Sequence, residues 1–344
     1  MTITTVGIDL AKNVFQLHGV DQHGKTALKK KLKRDQLSTF FSNMEPCLIG
    51  MEACSGAHYW ARFLVNQGHS VKLMAPQFVK PYVKTNKNDA ADAEAICEAV
   101  TRPNMRFVTI KSPDQQALLS LHRARAGLIK TQTAQINQVR GLLTEFGIVL
   151  PVGKVVIRKH VPLILEDAEN ALPDTFRQVL SRLYDHLTEL SEHIEQFDIL
   201  LKEHFKQCEL SQRIASLPGI GLISATAIVG TIGDGSEFKN GRQLSSWLGL
   251  VPRQHSSGGK NMLLGMSKRG DAYLRTLLIH GARSVLIARS HKLPSESWLG
   301  GLLNRRNKNV AAVALANKNA RILWAMLTRG EDYNPKHYPD AFAG

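Results

Sequence analysis

The chain has 344 residues, with 44 Lys and Arg against 29 Asp and Glu, leaving a formal charge of +15. That length accommodates two or three domains with a sizeable core, and the basic excess favours a polyanionic partner, nucleic acid before membrane. The 4 cysteines show no C-x-x-C pair, which argues against a zinc site or disulfide framework, and no apolar run approaches the ~18 residues of a membrane span.

Taken in chain order, apolar segments at 3–8, 14–20 and 27–32 alternate with Lys12-Asn13 and Asp21-Gln22-His23-Gly24. This predicts three short antiparallel strands, with Asp-x-x-Gly as the second hairpin turn. With no basic n-region or apolar h-region before that pattern, a cytoplasmic protein is expected. Residues 34–44 then read as a helix, 47–51 as a strand, 57–67 as a helix and 71–75 as a strand. The order βββαβαβα is that of an α/β RNase H-like domain, in which the first and fourth strands are neighbours. Asp9 closes the first apolar run and Glu52 the fourth, so this topology sets them side by side at strand ends, where α/β proteins place chemistry. A helix starting near Asn88 brings Asp89 and Asp92 over the same edge, because residues three apart share a helix face.

From about 113 to 208 the pattern changes. Leu118, Leu121, Leu128, Gln132, Gln135, Val139 and Leu142 follow a 3/4 rhythm with polar interruptions; Leu183, Leu187, Leu190, Ile194, Phe197 and Leu201 follow it cleanly. Two long helices in a coiled coil are expected, as a hairpin within the chain or a seam between copies. Pro151, Pro162 and Pro173 interrupt the pattern, which predicts a turn or short irregular insert between them. The third part opens with Leu-Pro218-Gly219-Ile-Gly221, a hairpin between two short helices similar to helix-hairpin-helix motifs, which hold a phosphate on backbone N–H groups. The same residues also suit a packing turn. A polar loop, Arg253-Gln-His-Ser-Ser-Gly-Gly-Lys260, follows, and 268–288 is again helical. The expected divisions are 1–112, 113–209 and 210–344, the last mainly α.

Four carboxylates, Asp9, Glu52, Asp89 and Asp92, with no His or Cys among them, select Mg²⁺ or Mn²⁺ over zinc. Two such ions can stabilise both the attacking and the leaving oxygen at phosphorus. Singly, each acid also suits a turn or a helix N-terminus. Ser256 and Ser257 lie close in sequence to His255, Lys260, Lys268 and Arg269; a serine nucleophile needs such activation, although Ser-Ser-Gly-Gly alone reads as a linker.

Gly-Ile-Asp9-Leu-Ala-Lys, Met-Glu52-Ala-Cys, Lys87-Asn-Asp89-Ala-Ala-Asp92-Ala, Leu-Pro-Gly-Ile-Gly and Gly-Leu-Val-Pro-Arg-Gln-His-Ser-Ser-Gly-Gly-Lys together resemble the DEDD-type transposases of insertion sequences, relatives of the Piv DNA invertases. The resemblance spans nearly the whole chain in the right order. It implies an RNase H-like (RuvC-like) domain similar to Holliday-junction resolvases, a coiled coil, and a C-terminal transposase domain carrying a serine. Asp9, Glu52, Asp89 and Asp92 fall on the family's four acids; Ser257 fits its serine, with Ser256 adjacent. It further implies Mg²⁺, serine attack on DNA through a covalent intermediate, a bridge RNA pairing with target and donor DNA, and a homodimer or homotetramer. The rival expectations are a metal-only nuclease or junction resolvase, and a non-catalytic nucleic-acid-binding scaffold.

Overall fold

A computed structural model describes residues 2–84, 88–289 and 297–334; Lys87 of the motif above lies outside the described residues. The chain divides into two units, Met1–Pro113 and Asp114–Gly344. In the first, β1 (Thr5–Leu10), β2 (Val14–Val20) and β3 (Thr26–Lys33) precede α1 (Gln36–Ser42), β4 (Leu48–Glu52), α2 (Ala57–Asn66) and β5 (Ser70–Met74). A short α3 (Pro76–Val79), then α4 (Asp89–Val100) and the two-residue β6 (Phe107–Val108), complete it. The sheet order is β3-β2-β1-β4-β5-β6. Strands β1, β2 and β3 pair antiparallel, while β1, β4 and β5 run parallel, with Gly7 opposite Gly50 and Ile8 opposite Met51.

Strand alternation divides this sheet into two faces. Val6, Ile8, Phe15, Leu17, Leu32, Ile49 and Met51 are buried with Leu37, Phe41, Trp60 and Leu64 of α1 and α2. On the other face lie Gly7 and Gly50, and α4 crosses directly over them. A Cβ on Gly7 would stand 2.3 Å from the Ala93 carbonyl oxygen, and one on Gly50 would stand 2.8 Å from the Val100 Cβ. Only glycine permits this approach of helix to strand.

The second unit begins with α5 (Pro113–Thr144), α6 (Lys154–Glu166) and α7 (Asp174–Gln207). Helices α5 and α7 run antiparallel: Gln132 Nε2 donates to Ser191 Oγ at 2.8 Å, Gln135 Nε2 to the Leu183 carbonyl at 2.7 Å, and Arg125 pairs with Asp198 at 2.5 Å. The polar interruptions in the α5 rhythm are thus buried donors satisfied by α7, as burial requires. The expected irregular insert is instead the 13-residue α6, with Pro162 inside it. Proline there removes the N–H that would bond the Arg158 carbonyl, and the Tyr184 hydroxyl of α7 donates to that carbonyl at 3.2 Å in its place.

The remaining elements are α8 (Glu209–Ala215), α9 (Leu222–Ile232), α10 (Gly241–Trp247), β7 (Pro252–Gln254), β8 (Leu263–Met266), α11 (Ala272–Arg289), α12 (Trp298–Arg305) and α13 (Lys308–Arg329). Their apolar faces meet in one core around Ile214, Ile228, Leu244, Leu278, Leu315 and Leu323. The architecture is therefore a mixed α/β sheet followed by a mostly helical region. No helix among the described residues is long and apolar enough to cross a membrane, and all four cysteines are free thiols.

Candidate active site

The first candidate centre is the sheet face beneath α4. Because Gly7 and Gly50 face the helix, the residues two further along each strand, Asp9 and Glu52, face the same side. Continuing the β1–β4 register past Ile8 and Met51 puts these carboxylates on adjacent strands, their backbones about 4.8 Å apart. Both are half-buried. Their charges converge on Cys54: burial first, then Glu52 and Asp9, push its thiol above the ordinary range. A thiol held protonated is a poor metal ligand, so the carboxylates are the hard donors this edge offers.

Asp89 and Asp92 occupy the first turn of α4, where the helix dipole favours negative charge. Asn88 caps that helix, its side chain accepting from the Ala91 N–H at 2.8 Å. Asp89 is exposed and Asp92 half-buried. Among the described residues no three His, Cys, Asp or Glu side chains gather as a metal-binding group. The strand-end pair and the helix-start pair thus share one face without closing into one coordination shell. The donor chemistry, oxygens only, fits a hard divalent cation.

The second centre is the serine loop, which is a β-hairpin. Strands β7 and β8 pair antiparallel, and Ser257 bridges to Lys260. Gly258 and Gly259 have φ of 56° and 78°, and the Lys260 N–H donates to the Ser257 carbonyl at 3.1 Å. Two successive positive φ values make this a type I′ turn, which glycine pairs favour. The serines stand exposed at its tip. The Ser256 hydroxyl accepts from Gln254 Nε2 at 2.9 Å, whereas the Ser257 hydroxyl makes no hydrogen bond with the described residues.

The hairpin's base is held by backbone crossing backbone. A Cβ on Gly249 would lie 2.1 Å from the Arg269 carbonyl oxygen, and one on Gly270 would lie 1.7 Å from that of Trp247. Lys268, at φ 55°, donates its N–H to the Gly249 carbonyl at 3.2 Å, and Ser267 donates to Val251 at 2.8 Å. Arg275 Nη1 reaches the carbonyls of Leu248 and Arg269 at 3.1 and 3.2 Å, stitching the two segments, and Asn317 Nδ2 donates to Leu250 at 3.3 Å. Sequence reasoning missed Arg275 and Asn317, which lie far along the chain from the loop they steady. Lys268 and Arg269 are exposed around this base, and Lys260 is exposed at the tip beside Ser257.

Of the two glycines between α8 and α9, Gly219 is in a packing contact. Its carbonyl oxygen would be 1.8 Å from a Cβ on Gly281 of α11, and the adjacent Pro218 carbonyl accepts from buried Asn319 at 3.0 Å. Gly221, at the N-terminus of α9, is exposed and has open space around it.

Comparison with known proteins places both centres within matched regions. A family model described as Transposase matches residues 6–148, and one described as Transposase IS116/IS110/IS902 family matches residues 211–296. The chain is 50% identical over 337 residues to a probable family 20 transposase of Pseudomonas aeruginosa, covering 97% of this chain and 100% of that protein. It is 45% identical over 333 residues to the transposase for insertion sequence element IS1328 of Yersinia enterocolitica, covering 95% and 98%. To the transposase for IS1111A of Coxiella burnetii it is 46% identical over 332 residues, covering 96% and 91%.

Proposed function

The chain belongs to the IS116/IS110/IS902 transposase family, whose members act on DNA by strand cleavage and joining, and from that premise we propose that it does so through Ser257, assisted by the carboxylates beneath α4. The observation that carries the serine assignment is the hairpin. It presents one hydroxyl, that of Ser257, on an exposed turn with no internal partner, while the Ser256 hydroxyl is engaged by Gln254.

Ser257 Oγ attacks phosphorus, forming an O–P bond as the bond from phosphorus to a deoxyribose oxygen breaks. The released hydroxyl, or that of another strand, later attacks the serine ester, so the bond energy is conserved and the ends rejoin without ATP. Lys260, Lys268 and Arg269, exposed near the loop, neutralise charge on the phosphate. Asp9, Glu52, Asp89 and Asp92 are the residues that would hold Mg²⁺ or Mn²⁺, which when bound supplies Lewis-acid stabilisation of the charge developing at phosphorus.

In this reading the first unit is an RNase H-like domain, supported by three antiparallel strands leading into parallel β1-β4-β5. Gly221 offers a helix start for a phosphate in helix-hairpin-helix fashion, with Gly219 serving the packing. The α5–α7 pair is the coiled-coil spacer between 113 and 209, and the serine hairpin belongs to the part beyond it. The +15 charge supports binding of donor and target DNA, and of a guide RNA, by a dimeric or tetrameric cytoplasmic recombinase.

The test is strand exchange on element-junction DNA. Asp9→Asn and Ser257→Ala are each expected to lower it at least 100-fold with folding unchanged, and Ser256→Ala to leave it within a few-fold. Full activity of Ser257→Ala would refute the serine assignment.

A further inference from the structure

The acid face continues across the sheet into a row of lysines. Asp9 pairs with Gln16, and Gln16 with Lys31, so Glu52, Asp9, Gln16 and Lys31 occupy one line across β4, β1, β2 and β3. The next line is Gly50, Gly7, His18 and Lys29, and Lys33 pairs with Val14 beyond Lys31. Residues two apart share a strand face, so Lys29, Lys31 and Lys33 project on the carboxylate side, about 7 Å apart along β3. Lys30 projects to the opposite side: it pairs with core residue Leu17, and its Nζ lies 4.8 Å from the Phe40 ring centroid.

Three features set this row apart from a merely solvated edge. Lys29, Lys31 and Lys33 are exposed and form no ion pair with the described residues. Lys29 and Lys31, together with the intervening Lys30, line a groove of ≈ 380 Å³ between β3 and the start of α4, with Gln16, His18, Asn88 and Glu94; the Lys30 ammonium itself is directed to Phe40. Glu94 is an acid in that groove and offsets part of its charge. Finally, two strand spacings, about 10 Å, separate Lys31 from Asp9, a distance a nucleic-acid strand covers in one or two nucleotides.

We propose that Lys29, Lys31 and Lys33 form a phosphate track on β3 that binds the DNA backbone flanking the phosphodiester held at Asp9 and Glu52. Its ligand is a DNA strand gripped through its phosphates without base readout, with Gln16 the polar step between track and acids. This rests on the reading of the acid face as a site of DNA chemistry.

The experiment is fluorescence anisotropy with the full-length protein and labelled element-junction duplex in EDTA, which blocks cleavage, from about 50 to about 200 mM salt. Each phosphate contact contributes a slope of roughly 0.9 to log K against log salt on duplex. The triple variant Lys29→Gln, Lys31→Gln, Lys33→Gln is expected to lower the slope by about 2 to 3. Lys30→Gln should leave it unchanged, and the triple arginine variant, which keeps the edge charged, should retain the wild-type value. A wild-type slope in the glutamine triple, or an equal drop in Lys30→Gln, overturns the track. So does a drop seen only with RNA of the same sequence. If the wild type itself shows no salt-dependent DNA binding, the recombinase reading falls with the track, an outcome distinct from a track that fails while wild-type binding persists.

Discussion

Gly7 lies beneath α4, where a methyl group would stand 2.3 Å from the Ala93 carbonyl and 2.4 Å from the Cys97 nitrogen. Gly7→Ala must therefore lift the helix that carries Asp89 and Asp92. Overpacking of this kind costs about 3 kcal/mol, so a lowered melting temperature accompanied by lost strand exchange is expected; an unchanged melting temperature would contradict the close crossing. His122 invites a different measurement. It is 1% exposed, bonds Tyr273 and Thr226 at 3.1 Å each, and is held down to about 4 by burial, then by Arg125 and His204. Its unfolded pKa is ~6.5, so between that value and about 4 the unfolded chain binds more protons. Stability is then full near neutrality and falls as the pH drops through this window, by about 2 kcal/mol at pH ~5. Thermal melts should show that increment in the wild type and lack it in His122→Gln. At this scale Asp9 and Glu52 are legible in the sequence because each ends an apolar run. Gly7 and His122 are not: their roles depend on partners 86 to 151 positions away.

Among the elements, the serine hairpin departs furthest from its sequence. Its strands hold no buried apolar alternation: Leu263 and Leu264 are 67% and 42% exposed, so the pattern that marks a strand is missing and a loop is read instead. Only the paired positive-φ glycines and the cross-strand bonds reveal it. Its placement depends on the two segments that cross at its base. Arg275→Met removes both guanidinium bonds there while leaving the aliphatic stem to pack. Strand exchange is expected to fall about 10-fold with DNA affinity unchanged, since a site held more loosely loses reactive geometry before binding. Equal losses in both would make Arg275 a DNA contact. Helix α6 teaches the opposite lesson: Pro162 reads as a breaker, yet Tyr184 satisfies the carbonyl it orphans, which no local signal announces. The order of strands in the first unit, by contrast, is legible, because apolar runs and turn residues alternate regularly there.

For the molecule as a whole, the acids lie in the unit Met1–Pro113 and the serine in Asp114–Gly344, so the mechanism proposed above draws its residues from both units. The order of the motifs is legible in the sequence; the joint action proposed for them is not, because no local pattern in one unit encodes the other. The most direct measurement is peptide mass spectrometry after incubating the protein with element-junction DNA, co-purifying RNA and Mg²⁺. DNA attached to Ser257, and no attachment in Asp9→Asn, is the expected result; cleaved DNA with Ser257 unmodified would contradict it and point to water as the nucleophile.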